Sequence, residues 1–406
     1  MTSTPADLAD LLARLETGDP EPRREDSPVA VDAADRLLLD EAARHVADVR
    51  AGEVAVVDDR YGALTLGAAA LVRRPDEAGG GAGVTGGTGD VVRVHQDACT
   101  AADALDANAA TLGLTGTYAH HSLGPGLLSG ARVVLLRLPR GLAALRDVAE
   151  HVAREADPGV VLLAGGRVKH MTPAMNDVLA ESFGHVRASR GRGKSRVLVA
   201  AEPRQEAGPL TYPVTAVLPD VGLTVVAHGA AFAGAELDLG TRFLLERLDD
   251  ADAPDLPHGL AAPEDVVDLG CGTGLLATWA ARRWPAARVV ATDRSDAAVR
   301  SAQRTAAANG TGDRVQVVRD DAGASLPDAS ADLVLLNPPF HEGAALRTGT
   351  AHRLFAAAGR VLRPGGELWC VWNSHLRYRP ALERAVGPTV QVGRDRRFTV
   401  TRSTRR

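Results

Sequence analysis

The sequence predicts an α/β protein built as two tandem domains, each a parallel sheet with crossover helices. Two observations lead there. Apolar, strand-like runs alternate with helix-favouring stretches, and the alternation occurs twice along the 406 residues. A hydrophobic content of 45% over that length is enough for two separate cores of ordinary domain size. A polar, Pro-marked stretch, PRQEAGPLTYP (203–213), divides the halves and reads as a linker. The expected organisation is an N-terminal extension over 1–27, a first domain over 28–205, a linker over 206–213 and a second domain over 214–406.

In the first half the expected strands are EVAVVDD (53–59), VVRVHQD (91–97), ARVVLLRL (131–138), GVVLLAG (159–165) and SRVLVAAEP (195–203). Ala-rich segments such as AADALDANAATLG and LAALRDVAEHVARE lie between them and favour helix. The Gly-rich AGGGAGVTGGTGD (78–90) reads as a surface loop. The second half opens with the strand-like TAVLPD and GLTVVAHGA and the helix-like GTRFLLERL. Its main alternation is EDVVDLG, ARVVATD, DRVQVVRD, ADLVLLN and GELWCVW, which makes an ancestral duplication plausible.

The net charge of −5 argues against a uniformly basic nucleic-acid coat, but the charge is unevenly placed. Nine arginines face two acids, Glu383 and Asp395, between Arg377 and Arg406. HVRASRGRGKSR (185–196) carries Arg187, Arg190, Arg192, Lys194 and Arg196 with no acid, and is read as a loop. Each run is either an RNA contact or a solvated surface. No stretch approaches the roughly 18 consecutive apolar residues of a membrane helix, and residues 1–48 are acidic rather than signal-like. A cytoplasmic protein without membrane contact is expected. Cys99, Cys271 and Cys370 fit neither a disulfide framework nor a zinc site, so reduced thiols and no metal are expected.

The chemistry concentrates in the second half. In VVDLGCGTGLLA (266–277) a hydrophobic strand runs into Gly270, Gly272 and Gly274 and then a helix, a turn that lets backbone approach a ligand. A dinucleotide fingerprint would have its third glycine at 275, where this chain has Leu275, which counts against NAD. Asp293 ends the next strand, where open α/β sheets bind ligands, and its carboxylate can accept two ribose hydroxyls. Asp320 and Asp321 follow the third strand and suit an adenine amino group, with a helix cap or turn as the other role open to either. Together these point to an adenosyl site.

The fourth strand stops at Asn337-Pro338-Pro339-Phe340. The prolines restrict the chain, so the Asn337 side-chain oxygen and the Pro338 carbonyl can converge as two acceptors beside a ring that stacks a base. Such a site suits an exocyclic amino group on a nucleobase. Accepting its two protons draws the nitrogen lone pair out of conjugation, and alignment of nitrogen, methyl carbon and leaving sulfur at about 3 to 3.5 Å supplies much of the rate. A paired base must leave its stack to enter, so the substrate is flipped or single-stranded.

With those motifs in that order, residues 214–406 resemble a class I S-adenosylmethionine-dependent methyltransferase. NPPFHEG (337–343) with FAGAELDLGTRFLLERL (232–248) is similar to the ribosomal RNA guanine-N2 methyltransferases of the RsmC and RlmG type. VDAADRLLL (31–39), DDRYGALT (58–65), LRLPRGLAALRDV (136–148) and GGRVKHMTP (165–173) are similar to the large-subunit type, so the resemblance spans about 28–403. It implies two tandem Rossmann-like methyltransferase domains, the first degenerate and the second catalytic. The implied reaction moves a methyl group from S-adenosyl-L-methionine to guanine N2 in ribosomal RNA, free or in a ribosomal subunit, and a monomer is expected.

The resemblance also implies roles for single residues. Asp268, Gly270, Gly272 and Gly274 would cradle the cofactor, Asp293 its ribose and Asp321 its adenine, while Asp238 and Thr241 match positions near its methionyl end. Asn337, Pro338, Pro339 and Phe340 would hold the guanine. The family's asparagine pair after strand three is here Asp320-Asp321, and His341 follows the family pattern with a packing role as the alternative. The first domain departs from the catalytic pattern: DDRYGALT has one glycine, NPPF is missing, and Asp97 is the expected relic of Asp293. Its basic segment and Lys169-His170 suggest an RNA platform, against pure structural support. Two other readings stay open: methylation of adenine N6 or a protein glutamine amide, and a non-catalytic RNA-binding or ribosome-assembly factor.

Overall fold

Both halves of the chain fold around a seven-stranded sheet, and the strand order is the same in each. The computed structural model describes residues 6–18, 29–72, 90–205, 208–250, 262–339 and 344–406. Most of the Gly-rich stretch, and Phe340 with His341, lie outside them. The chain divides into two units, Met1–Thr211 and Tyr212–Arg406.

The first unit contains β1 (Val54–Val57), β2 (Val92–His95), β3 (Tyr118–His120), β4 (Val133–Arg137), β5 (Val161–Arg167), β6 (Phe183–Ala188) and β7 (Ser195–Pro203). Their order is β3-β2-β1-β4-β5-β7-β6. The second contains the hairpin β8 (Val214–Leu218) and β9 (Leu223–Ala227) and a sheet of β10 (Asp265–Leu269), β11 (Arg288–Asp293), β12 (Val315–Arg319), β13 (Ala331–Leu336), β14 (Leu362–Asn373), β15 (Thr389–Arg394) and β16 (Phe398–Thr404). That sheet runs β12-β11-β10-β13-β14-β16-β15. In both, the first five strands are parallel and the last two add an antiparallel hairpin.

Helices α1 (Ala6–Ala13), α2 (Ala33–Ala42), α3 (Ala63–Val72), α4 (Cys99–Leu112), α5 (Pro125–Leu128), α6 (Leu142–Glu155) and α7 (Ala174–Ser182) belong to the first unit. The second has α8 (Leu239–Asp249), α9 (Leu275–Arg283), α10 (Asp296–Ala308), α11 (Ala344–Val361) and α12 (Arg379–Ala385). Covered on both faces, the central strands read as unbroken apolar runs: every residue of β1 is buried. The segment expected as an extension joins the first core through Leu8, Leu12 and Leu15.

Four strands were not expected from the sequence. β3 has only three residues, and β6 and β15 are sheet-edge strands with mostly exposed side chains, so none presents an apolar run. The fourth, β16, is buried largely through Thr399, Thr401 and Ser403, which carry no apolar signal. The basic segment 185–196 is therefore not a loop throughout. Its first residues lie in β6, its last two in β7, and the charged turn between them is the tip of a hairpin.

One feature of the second unit fixes the approach to the site. Ser301, Thr305 and Asn309 recur every four residues along α10 and its C-cap. Their side chains accept from the N–H groups of His228, Val226 and Thr224 at 2.9, 3.0 and 3.0 Å. Four helical residues rise about 6 Å and two strand residues about 6.8 Å, so a helix stripe can serve as a strand partner. This ladder anchors β9 and sets where the chain enters the segment leading to α8. Thr305→Val keeps the shape but leaves the buried Val226 N–H without its acceptor, so urea unfolding should show a loss of about 1 to 3 kcal/mol; an unchanged midpoint would remove the ladder from the account.

Candidate active site

β10 delivers the chain into Gly270, Gly272 and Gly274 with φ of +77, +54 and +76°, a left-handed sequence that side chains with a Cβ adopt at a cost. Gly270 and Cys271 both donate to the Thr292 carbonyl, at 2.8 and 2.9 Å, which ties the turn to the end of β11. A Cβ on Gly270 or Gly272 would meet nothing within 4 Å, whereas on Gly274 it would lie 2.7 Å from the Ala302 Cβ. The first two glycines thus border open space, and the third lets α9 approach α10.

Asp293 braces the turn from the neighbouring strand: its Oδ2 accepts from Gly272 N at 3.0 Å and its Oδ1 from Ser295 N at 2.9 Å. A carboxylate oxygen has two lone pairs, so the group can accept further bonds. Asp268 lies behind the turn, 1% exposed, with Oδ2 accepting from Ala277 N at 2.9 Å. Its Oδ1 is buried without a partner among the described residues. Burial, reinforced by the charge of Asp293, pushes its carboxyl up to about 7. Burial, with the charges of Asp268 and Asp293, likewise holds the Cys271 thiol well above its usual range, so it stays protonated and is not a nucleophile.

Asn337 faces this turn from the end of β13. Its Nδ2 donates to Asp238 Oδ2 and to Thr241 Oγ1, both at 2.9 Å. Asp238 is also the N-cap of α8, accepting from Gly240 N at 2.9 Å and Thr241 N at 3.0 Å. With both amide hydrogens used, the Asn337 Oδ1 is buried and has no partner among the described residues. One cleft is lined by Asp238, Thr241, Gly270, Gly272, Thr273, Leu275, Leu276 and Asn337, together with Phe232 and Glu236. The last two were missed in the sequence, where the only signal was an aromatic and an acid inside the segment before α8.

The acids after β12 take other partners. Asp320 Oδ2 accepts from Ser325 N and Oγ at 2.9 and 2.7 Å, and Asp321 pairs with Arg353 at 2.8 Å. Of the basic hairpin, Arg187 lies 3.6 Å from Glu41 and Arg192 pairs with Asp40. Arg190, Lys194 and Arg196 are exposed and make no ion pair among the described residues. Also among the described residues, no His, Cys, Asp and Glu group could hold a metal, and no helix is long and apolar enough to cross a membrane.

Residues 222–402 match the methyltransferase small domain, and residues 17–205 match the RLMG N-terminal domain. Ribosomal RNA large subunit methyltransferase G of Streptomyces avermitilis is 34% identical over 93% of this chain and 93% of its own. The protein of the same name from Shewanella amazonensis is 32% identical over 98% and 97%. The chain belongs to this methyltransferase G family. A solved T. thermophilus 16S rRNA N2 methyltransferase, RsmC, in complex with AdoMet and guanosine, shares the fold with a TM-score of 0.68 at 23% identity over 92% of each chain. The two-domain architecture expected from the resemblance, first copy degenerate and second catalytic, is that of this family.

Strand register shows how the first copy departs from the second. Val57 pairs with His95 as Leu269 pairs with Thr292, so the counterpart of Asp293 is Gln96 rather than Asp97. Gln96 keeps part of the bracing role, its Oε1 accepting from Asp59 N at 2.8 Å. The turn keeps its length, with Asp58 at φ +61° where the family's second domain here has Gly270, and Val56 replaces Asp268. The carboxyls of Asp58 and Asp59 are held above their usual range by burial.

The folded Asp268 carboxyl binds its proton more tightly than an unfolded one with the ordinary value of 3.8. Its contribution to stability is therefore complete below that value and is lost as pH rises toward about 7. Asp268→Asn removes the ionisation. The variant should gain stability relative to the parent chain across that window in urea titrations, and a difference that stays constant with pH would contradict this account.

Proposed function

We propose that this chain transfers a methyl group from S-adenosyl-L-methionine to the exocyclic N2 amino group of a guanine in ribosomal RNA, in the cytoplasm and as a monomer. The observation that carries the reading is the Asn337 Oδ1, an acceptor aimed into the cleft with its amide hydrogens already spent. Its relatives are named for methylation of large-subunit ribosomal RNA, and RsmC, which shares its fold, acts at N2 and was solved with guanosine.

The residues present fit the cofactor. Two glycines border open space, the partnerless Asp268 Oδ1 lies behind them, and Glu236 and Asp238 add negative charge that favours a cationic ligand. Bound S-adenosyl-L-methionine supplies a methyl carbon made electrophilic by its sulfonium. Gly270, Gly272 and Asp268 would hold the cofactor from the turn, Asp293 its ribose hydroxyls and Asp321 its adenine, since Asp320 is spent on Ser325. Asn337 Oδ1 and the Pro338 carbonyl accept the two amino hydrogens of guanine, which localises the nitrogen lone pair for attack, and Phe340 stacks the base. The cleft has no need of a thiolate, and the Cys271 proton stays in place.

Asn337→Ala removes one acceptor and leaves the prolines. Single-turnover methylation of undermethylated large-subunit RNA with labelled cofactor should slow by about 10² to 10³, with cofactor affinity nearly unchanged. Mass spectrometry of the product nucleoside identifies the atom; a methyl group on adenine N6 or on protein would sink the guanine assignment.

We also propose that the first unit is an RNA platform through Arg190, Lys194 and Arg196, whose charges are not already balanced by α2 as those of Arg187 and Arg192 are. Replacing Arg190 and Arg196 by Ala should flatten the dependence of log K on log salt by roughly one unit, about 0.7 per phosphate lost. If the slope is unaltered, the hairpin is a solvated surface.

A further inference from the structure

The catalytic asparagine has a counterpart in the degenerate copy. Asp268 pairs with Leu335 in the second sheet and Val56 with Leu135 in the first, so two residues further on Arg137 stands where Asn337 does. Each is gripped by the start of a helix. Asp238 caps α8 and Thr241 follows three residues later; Asp32 caps α2 and Asp35 follows three residues later. Arg137 donates Nη2 to Asp32 Oδ2 at 2.6 Å and Nη1 to Asp35, while Asn337 donates both Nδ2 hydrogens to Asp238 and Thr241.

The composition of each grip follows the group it holds. Arg137 is a cation that donates only, and two aspartates balance it at side-chain exposures of 13, 10 and 5% for Arg137, Asp32 and Asp35. Asn337 is neutral, and there the second carboxylate is replaced by the hydroxyl of Thr241. An amide can turn end for end, exchanging its oxygen and its NH2. A carboxylate accepts and never donates, so Asp238 tolerates the NH2 and repels the oxygen. The orientation it selects is the one that leaves Oδ1 to the cleft.

We infer that Asp238 and Thr241 are positioning residues for the methyl acceptor: they fix which end of the Asn337 amide faces the substrate and do not themselves bind the cofactor. The sequence resemblance had placed both near the cofactor's methionyl end. The inference rests on the reading of Asn337 as an acceptor for the substrate amino group. In the first unit the same grip presents no acceptor, because a guanidinium has none.

The test uses the full chain with Thr241→Val, Thr241→Ser, Asp238→Asn, Asn337→Ala and the Thr241→Val/Asn337→Ala pair, each checked for folding by circular dichroism. Single-turnover methylation at saturating cofactor and RNA should fall about 10- to 100-fold in Thr241→Val. Cofactor dissociation constants should stay within about twofold, and Thr241→Ser should restore the rate because it restores the hydroxyl. In the Asn337→Ala background Thr241→Val should add almost nothing, since its effect passes through the missing amide. Asp238→Asn still caps α8 but no longer excludes the turned amide, so it should slow the same step and covers the case in which Thr241→Val does not fold. Weakened cofactor binding with a normal rate at saturation would make these residues cofactor contacts and overturn the inference. Full additivity with Asn337→Ala would make the effect structural and overturn it as well. A slow Asn337→Ala beside a fast Thr241→Val and Asp238→Asn sinks the positioning role alone, whereas a fast Asn337→Ala sinks the acceptor reading and this role with it.

Discussion

The site depends on one buried hydrogen-bonded junction, the Asn337 amide held between Asp238 and Thr241. It ties the end of β13 to the first turn of α8, and so joins the strand that stops at two prolines to the segment anchored by the α10 ladder. The arrangement satisfies both amide donors and leaves one acceptor, Oδ1, without a protein partner. A buried acceptor left unpaired costs about 1 to 3 kcal/mol. A fold that keeps such a group has a use for it, and here the use is a substrate that brings two hydrogens.

Around that junction the backbone is shaped as strictly as the side chains. Three glycines at positive φ bring the turn between β10 and α9 close to whatever occupies the cleft, and the bonds to Thr292 and Asp293 prevent the turn from relaxing. The electrostatics follow from burial. Asp268 and Cys271 are both pushed toward their protonated forms, which leaves the cleft without a reactive thiolate and with acceptors suited to a cation and an amine.

The two sheets show which parts of such a site the scaffold needs and which only the chemistry needs. The first unit retains strand order, turn length, a residue at positive φ after β1, and a capped helix gripping the end of β4. Glycines, the buried aspartate and the amide have given way to Asp58, Val56 and Arg137. The grip survives as an ion pair network in which burial pushes the Asp35 carboxyl up to about 7 while Arg137 keeps Asp32 low. The opposite directions at two partners of one guanidinium reflect the deeper burial of Asp35, 5 against 10% exposed.

The sequence by itself determined what is set by local conformation and short spacing. Gly270, Gly272 and Gly274 were legible because a left-handed turn demands them, the central strands because burial on both faces demands apolar runs, and Asn337 because two prolines mark where its strand must end. The duplicated alternation gave the two domains for the same reason. Only the tertiary structure decided the rest, because it depends on residues far apart in the chain. Asp238 and Thr241 meet Asn337 across 99 and 96 positions, and Arg192 is neutralised by Asp40 across 152. A one-residue difference in register moves the counterpart of Asp293 from Asp97 to Gln96, and edge strands such as β6 carry no hydrophobic signature to betray them. Strand register and helix docking select those partners through packing of the whole core, and no short stretch of sequence contains that information.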